Sequence, residues 1–209
     1  MKQHLRIHKA EPNRGILDYS HLLDAPAGKH GFVKTMNGHL YFEDGTRARF
    51  LGFNVAARSN TPDHETADKM AERFASMGVN IIRLHAADAP VGEEPASWSS
   101  CKEAPLLDYA GGSSRKFNPE GLDRFDYFAA KLKEKGIYLH IDLIVAREFL
   151  PGDDLDYPGG APSCIKRYAM YNERLIQLQK EYAKELLCHV NPYTGLALID
   201  DPAVVTIQL

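Results

Sequence analysis

The sequence predicts an α/β fold of the TIM-barrel type, a (β/α) barrel of which this chain supplies about the first four strand–helix units. Strand-like and helix-like segments alternate along the chain, and the last of them is a fourth strand at 203–209. The turns from helix to strand are very short in the first two units, whereas the loops from strand to helix, at 86–117 and 144–167, are long. Long loops after the C-terminal ends of parallel strands are typical of the face on which barrels carry their chemistry.

An irregular leader and a small hairpin flap are expected before the barrel. Residues 1–31 mix Pro, Gly, His and charged residues without a clear period. An Asn-Gly pair at 37–38 and an Asp-Gly pair at 44–45 each separate short strand-like segments, and such pairs supply the positive φ values of tight two-residue hairpins. We therefore expect an antiparallel flap that leads through 47–53 into the first barrel strand, with 32–209 as the N-terminal half of a (β/α)8 barrel.

Three helices are expected, each with an apolar stripe at helical spacing. Thr61 is the expected N-cap of the first helix, with Pro62 at the first helical position. Asn118 and Pro119 open the second helix in the same way. The third helix is expected over roughly 168–189. A strand follows each helix, as the barrel pattern requires.

Composition excludes several classes of protein. Hydrophobic residues make up 44% and charged residues 25% of the chain, and the net charge is −3. This predicts a globular protein without a basic footprint for nucleic acid or a polybasic membrane patch. The apolar runs are of strand length and the first residues lack a signal-peptide core, so the protein is expected to be cytoplasmic, or secreted with a leader that is absent from this sequence. Three widely spaced cysteines, Cys101, Cys164 and Cys188, make a disulfide framework improbable.

Period-two alternation sorts the second and third barrel strands into two faces. Arg83 and His85 share one face of the second strand. Tyr138, His140 and Asp142 share a face of the third strand, and the opposite face is aliphatic. Because an aliphatic face should meet the helices, the polar side chains are expected to converge in the barrel lumen near its C-terminal mouth. Burying such groups is costly unless they are paired, and active sites accept that cost.

Each of these polar residues also has a structural interpretation. Arg83 could serve as the ion-pair partner of Asp142, and His85 and His140 could be hydrogen-bonded core histidines. The pairs of His85 with Asp88 and of His140 with Asp142 loosely suggest metal ligands. A dedicated zinc site usually needs three or four well-placed ligands, however, and no motif supplies them. We therefore expect neither a metal nor another cofactor.

Residues outside the two strands extend the candidate site. Asn54, near the end of the first barrel strand, is either a loop cap or a sugar contact. Trp98, the only tryptophan, lies in a long loop and is either a stacking platform for a ring or a packing anchor. Arg147 belongs to the long loop that follows the third barrel strand. The two long loops are expected to shape binding subsites rather than to perform chemistry.

Several segments together resemble the clan A glycoside hydrolases, and specifically the cellulase-like proteins of family 5. The segments are 37–54, 78–85, 117–127 and 191–203 with the strand after it, and the resemblance covers about 32–209. It implies a retaining β-glycosidase with two catalytic Glu residues, acting on β-glucan or a related β-glycan as an oligo- or polysaccharide substrate.

The resemblance also implies roles for individual residues. Arg83 matches an arginine of the second strand that supports the nucleophile, and Asn54 and His85 match positions at the sugar-binding floor. Asp88, Trp98, Asp142 and Arg147 are expected to bind substrate with them.

The two catalytic Glu residues that the resemblance implies have no counterpart in this chain. The acid/base Glu should follow an Asn shortly after the strand that ends at Leu209, and the nucleophile lies further on. We therefore expect a fragment that is inactive by itself and that self-associates through open barrel edges. The alternative is a non-catalytic carbohydrate-binding or half-barrel assembly module. An unrelated metal-dependent hydrolase, using His85, Asp88 and His140, is a third hypothesis, which a metal assay would test.

Overall fold

A computed structural model describes residues 11–90, 104–155 and 165–209. Its centre is a four-stranded parallel sheet in the order β3-β4-β5-β6, with a separate two-stranded hairpin before it. The elements are, in chain order, β1 Val33–Met36, β2 His39–Phe42, β3 Gly52–Ala56, α1 His64–Ser76, β4 Ile81–His85, α2 Pro119–Glu134, β5 Tyr138–Asp142, α3 Glu173–Cys188 and β6 Val204–Gln208. The predicted α/β class and the parallel, partial-barrel arrangement are confirmed.

The start of α1 differs from the prediction. Asp63, and not Thr61, is the N-cap, because its side chain accepts a hydrogen bond from Thr66 N at 2.8 Å. Pro62 therefore lies before the cap, outside the first turn. Asp is at least as good an N-cap as Thr, so residue type allows either position, and the course of the preceding loop places Asp63 at the start of the helix.

The second helix begins as predicted and the third does not. Asn118 caps α2 by accepting from Glu120 N at 3.1 Å, with Pro119 as the first helical residue. The helix α3 starts at Glu173, where Asn172 accepts from Leu175 N at 2.9 Å. The expected start near 168 is wrong because 165–168 form a separate 3-10 turn.

The main core lies between the sheet and the helices. The residues on the helix-facing side of β4 and β5 are almost fully buried, as the alternation predicted; they are Ile82, Leu84, Leu139 and Ile141. The buried stripe of α3 is also the predicted one, formed by Leu175, Leu178, Tyr182 and Leu186. Apolar burial of this kind is the main stabilising contribution to the fold.

The hairpin closes the base of the sheet. Strands β1 and β2 pair in antiparallel register with Val33 opposite Phe42, and Asn37 and Gly38 at the turn both have positive φ, as predicted. The rings of Phe42 and Phe50 each lie 5.4 Å from that of Tyr138, the first residue of β5. The N-terminal end of the sheet is thus covered by an aromatic cluster, which leaves its C-terminal end as the open face.

The segment after the hairpin is less regular than predicted. Beyond the Asp44-Gly45 turn the chain makes one isolated antiparallel bridge, from Arg47 to Tyr41, and enters regular strand structure only at Gly52. No Cβ fits at Gly52, because it would lie 2.0 Å from the carbonyl oxygen of Ile81. A glycine is therefore required where β3 begins to pair with β4.

Candidate active site

The lumen side of the sheet carries a row of polar side chains. Strand register places Asn54 of β3 beside Arg83 of β4, Arg83 beside His140 of β5, and His140 beside Thr206 of β6. Asn54 and Thr206 are exposed, and the two residues between them are partly buried. The predicted convergence of Arg83 and His140 on one face is therefore observed, and β6 adds a residue to the row.

Asp142, the last residue of β5, is the buried centre of the site. Its side chain is only 1% exposed. One oxygen, Oδ1, accepts from Arg83 Nε at 3.0 Å, and the other lies 2.8 Å from Arg83 Nη2. This two-point contact fixes the plane of the guanidinium group as well as its position. The ion pair between Arg83 and Asp142 considered from the sequence is present.

His85 completes the contacts of this carboxylate. Its Nδ1 lies 2.5 Å from Asp142 Oδ2. Burial raises the pKa of Asp142, but hydrogen bonds from Arg83 and His85 outweigh burial and leave that pKa below its ordinary value. The carboxyl group is thus ionised near neutral pH, so Nδ1 of His85 must be the protonated ring nitrogen that donates to it.

Two further side chains border the cluster. The Nε2 atom of His140 lies 3.2 Å from Asp142 Oδ1, yet the geometry does not make a hydrogen bond, and this buried atom has no partner among the described residues. Gln208 of β6 accepts from Arg83 Nη2 at 2.8 Å through its Oε1. Arg83 is therefore held from two strands, β5 and β6.

Asp88 organises a loop and is not part of the lumen row. It is 1% exposed, and its carboxylate accepts the backbone N–H groups of Val145, Ala146 and Arg147 at 2.8 to 3.0 Å. Burial raises the pKa of Asp88, and these three hydrogen bonds oppose that effect. The side chain ties the end of β4 to the loop after β5, and this geometry favours an indirect role over direct contact with a ligand.

Arg147 also points into the protein. Its Nε donates to Ser114 Oγ at 2.9 Å, Nη2 to the carbonyl of Ser114 at 2.9 Å, and Nη1 to the carbonyl of Leu178 at 3.1 Å. Ser114 in turn donates through N and Oγ to Asp153, which is fully buried. The guanidinium thereby joins the two long loops to α3.

Sequence reasoning missed Gln208, Thr206 and the Ser114–Asp153 pair. Alternation along β6 groups Thr206 with Gln208, and their pairing with His140 and Asp142 places both on the lumen side, so this signal was available in the sequence. No local signal marks Ser114 or Asp153, because their contacts span about forty positions of the chain. Trp98, the proposed stacking residue, lies outside the described residues, as do Cys101 and Cys164; Cys188 is a free, exposed thiol.

The described ranges contain neither a cluster of metal-ligating side chains nor a helix that could span a membrane. Within 11–90, 104–155 and 165–209 no group of three or more His, Cys, Asp or Glu side chains is arranged to hold a metal ion. In the same part of the chain no helix is long and apolar enough to cross a membrane.

Comparisons with known proteins identify the fold. No family model matches the sequence, and no curated protein matches it significantly. Among solved structures, an endo-1,4-beta-mannanase from Rhizomucor miehei superposes with a TM-score of 0.61 at 19% identity, over 86% of this chain and 48% of that one. A glycoside hydrolase family 5 mannosidase from the same organism gives 0.56 at 17% identity, over 86% and 48%.

A third neighbour agrees with these two. The hyperthermostable endo-1,4-beta-D-mannanase from Thermotoga petrophila RKU-1 gives a TM-score of 0.50 at 23% identity, over 77% of this chain and 45% of that one. The chain spans about half the length of the structures it matches. Its sheet, helices and open C-terminal face therefore have the fold of part of a glycoside hydrolase family 5 barrel.

Proposed function

We propose that this chain supplies the N-terminal half of the sugar-binding site of a retaining β-glycosidase. The observation that carries the proposal is the cluster at the C-terminal mouth of the sheet, where a buried Asp142 fixes Arg83 and His85. A buried ion pair is weak evidence of stability, since an apolar replacement is often as stable. A fixed cation at the functional face of a barrel therefore supports a role in binding or catalysis.

Arg83 is proposed to support the nucleophile electrostatically. Its guanidinium is held by Asp142 and Gln208, so its position needs no reorganisation when negative charge lies nearby in the lumen. A cation fixed close to a carboxylate keeps that carboxylate ionised, as a nucleophile requires. Asn54, on the neighbouring strand β3, and His85, on the same strand as Arg83, are proposed to contact the sugar hydroxyls.

The loop residues are proposed to act on the sugar mainly through structure. Asp88 and Arg147 hold the loops after β4 and β5 together through backbone and Ser114 contacts. They are then positioning residues for the subsites, while Trp98 remains the proposed stacking platform. A ring stacked on Trp98 would contribute through contact area and polarised C–H groups, and not through charge.

The chain is proposed to bind glycan without hydrolysing it. Retaining hydrolysis needs two carboxyl groups about 5 to 5.5 Å apart, one as nucleophile and one as acid/base. Asp142 is buried and paired with Arg83, so it is suited to neither role. The resemblance places both catalytic Glu residues outside these 209 positions.

A β-1,4-linked hexose polymer is the proposed substrate class. β-Glucan was the substrate class inferred from the sequence, and the names of the structural neighbours make β-mannan an equal candidate. The two polymers differ in the orientation of the hydroxyl at C2 of each sugar. Binding measurements with one hexasaccharide of each kind separate them.

The experiment measures binding and turnover on the same preparation of the 209-residue chain. Titration calorimetry with mannohexaose and cellohexaose should detect binding of at least one. Arg83→Ala should weaken it about tenfold, or roughly 1.4 kcal/mol, because the lost ion pair no longer holds Asp142 and, through it, the proposed sugar contact His85. Arg47→Ala, at the opposite end of the sheet beside His39, is the matched control and should leave affinity unchanged. Failure to bind either sugar would remove the proposal.

Assays of reducing-sugar release distinguish the alternatives. No release from mannan or glucan is expected from the 209-residue chain, whereas clear turnover would show that the catalytic carboxyl groups are present after all.

The non-catalytic alternative, a carbohydrate-binding or half-barrel assembly module, has one specific observation in its favour. An apolar groove of about 950 Å³ beside α3 is lined by Ile176, Ala183 and the exposed Leu209. That alternative is supported if a longer chain from the same gene also binds without cleaving.

A further inference from the structure

The turns that follow β3 and β4 are both strained. Ala57, directly after β3, has φ of 49°, and Ala86, directly after β4, has φ of 54°. Both alanines are buried. This left-handed conformation is unfavourable for residues with a Cβ, and it persists only where the surroundings fix it. The two adjacent strands thus share one strained geometry at the face that carries the candidate site.

Asn60 joins the two strained turns. Its Nδ2 donates to the carbonyl of Ala57 at 3.0 Å and to the carbonyl of His85 at 2.7 Å. Because both contacts are acceptors, only the orientation with the NH2 group toward them is favourable. One fully buried side chain therefore holds the first strained residue and the residue immediately before the second.

The other half of this amide has no donor within the part of the chain that the structure describes. The Oδ1 atom of Asn60 is buried and has no hydrogen-bond donor among the described residues. A buried polar atom without a partner destabilises the fold. Within the described residues, the Oδ1 side of the amide thus lowers the stability of the fold, whereas the Nδ2 side holds the carbonyl of His85.

Asn80 provides an internal comparison. It bridges the same two strands at their opposite end, where it accepts from Leu51 N at 2.7 Å and donates to the carbonyl of Arg49 at 2.8 Å. Both halves of its amide are used, as expected of a residue that only joins two strands. Asn60 differs in being half satisfied and in holding a residue of the candidate site.

We propose that Asn60 is a positioning residue of the site, whose amide fixes the end of β4 so that the His85 ring meets Asp142. His85 Nδ1 lies 2.5 Å from Asp142 Oδ2, a contact that depends on the orientation of the last residue of the strand. Without Asn60, the strained Ala86 turn is free to relax and to carry the carbonyl and ring of His85 with it. The effect on sugar binding rests on the proposed function, but the effect on the His85 ring does not.

Nuclear magnetic resonance on the unmodified 209-residue chain gives the first test. Couplings across hydrogen bonds are expected from Asn60 Nδ2 to the carbonyl carbons of Ala57 and His85. A downfield Nδ1–H resonance of His85, assigned by its loss in His85→Gln, is expected from the short contact with Asp142. Absence of both couplings would overturn the proposal without any variant of Asn60.

Substitutions give the second test. Asn60→Ala removes the donor, and Asn60→Asp removes it while keeping the volume, so a cavity cannot explain a shared effect. Both should lose or broaden the Nδ1–H resonance, whereas Asn80→Ala should keep it even where it lowers the melting temperature by as much. Retention of the resonance in folded Asn60→Ala and Asn60→Asp would overturn the positioning role.

The effect of the Asn60 variants on sugar binding is measured separately from their effect on the His85 resonance. If the unmodified chain binds mannohexaose or cellohexaose, both Asn60 variants should weaken that binding about tenfold, which corresponds to the loss of roughly one hydrogen bond. Asn80→Ala should leave affinity unchanged. Failure of the unmodified chain to bind overturns the proposed function but not the role of Asn60, which the resonance of His85 decides independently.

Discussion

At the scale of single residues, the site depends on how one buried charge is compensated. The side chain of Asp142 is 1% exposed and pairs with Arg83 and His85, whereas His140 Nε2 lies 3.2 Å away without a hydrogen bond. Removing one partner of a buried pair costs more than removing both, because the remaining charge stays buried without compensation. The three groups should therefore behave as one coupled unit in stability measurements.

A double-mutant cycle tests this coupling. Arg83→Met alone should lower the free energy of unfolding by about 2–3 kcal/mol, less than the ~3–5 kcal/mol typical of a broken buried pair because His85 still contacts the carboxylate. Asp142→Asn combined with Arg83→Met should recover part of that loss, since the uncompensated charge is gone. Urea denaturation of the two single variants and the double variant measures the coupling. Additive losses would show that Arg83 and Asp142 do not stabilise one another.

The same carboxylate predicts a dependence of stability on pH. Its pKa in the folded chain lies below the ordinary value of 3.8. The ionised form therefore contributes stability that is fully present above the unfolded pKa and is lost as the pH falls through the lower, folded pKa. The difference in unfolding free energy between the unmodified chain and Asp142→Asn should shrink below about pH 4. A difference that stays constant down to pH 2 would contradict the assigned ionisation state.

At the scale of elements, buried polar groups connect the described parts of the loops after β4 and β5. Arg147 donates to Ser114 of one loop and to the carbonyl of Leu178 in α3, and Asp153 accepts from Ser114. The loops that line the open face are thus rigid where this network holds them. A binding site built on them needs no ordering of the network residues when a ligand arrives.

Replacing Arg147 should release the two loops. Arg147→Met keeps much of the volume but leaves the carbonyls of Ser114 and Leu178 without their donor, so we expect a loss of about 2–4 kcal/mol. Arg115→Met, next to Ser114 in the loop after β4, breaks only the exposed ion pair with Glu181 and should cost less than about 1 kcal/mol. Urea denaturation gives both values, and hydrogen exchange should accelerate at 145–153 in Arg147→Met alone. Equal losses of unfolding free energy in the two variants would show that Arg147 does not hold the two loops together.

The sequence predicted those elements and faces that local patterns determine. The alternation along β5 identified Asp142 and His140, and Asn118 with Pro119 identified the start of α2, because each signal lies within a few residues. The destinations of Asp88 and Arg147 could not be predicted, since a loop side chain is placed by contacts with distant segments. The hydrogen bond between Arg83 and Gln208 spans 125 positions, and no local pattern encodes it.

At the scale of the whole molecule, His30 joins the leader to the hairpin beneath the sheet. Its Nε2 lies 2.5 Å from Asp24 and its Nδ1 lies 2.5 Å from Asp44. Lys29 also pairs with Asp24. Hydrogen bonds to Asp24 and then to Asp44 raise the pKa of His30 above its ordinary 6.5. Only the doubly protonated ring can donate to both carboxylates.

This contact predicts that the base of the molecule is more stable in mildly acidic solution. The contribution of a group with a raised folded pKa is fully present below pH 6.5 and is lost as the pH rises through the folded value. The melting temperature of the unmodified chain should exceed that of His30→Gln at pH 6, and the gap should narrow toward pH 9. His21→Gln, at an exposed histidine of the leader whose Nδ1 lies 3.0 Å from the carbonyl oxygen of Asp18, is the matched control. A difference in melting temperature that widens with pH would contradict the assigned contact of His30 with Asp24 and Asp44.

The edges of the sheet predict how the 209-residue chain behaves in solution. Within the described part of the chain β3 and β6 each pair with one neighbour only, so each presents unpaired backbone groups. Apolar side chains accompany both edges, with Leu51 and Phe53 near β3 and Ile207 and Leu209 near β6. Unpaired edges with exposed apolar residues recruit another chain, and a charge on the edge suppresses this. We expect self-association that Ile207→Lys reduces and that Ile199→Lys, an exposed position in a turn before β6, leaves unchanged. Light scattering over a range of concentrations measures the mass, and a monomer at every concentration would show that these edges are protected in solution.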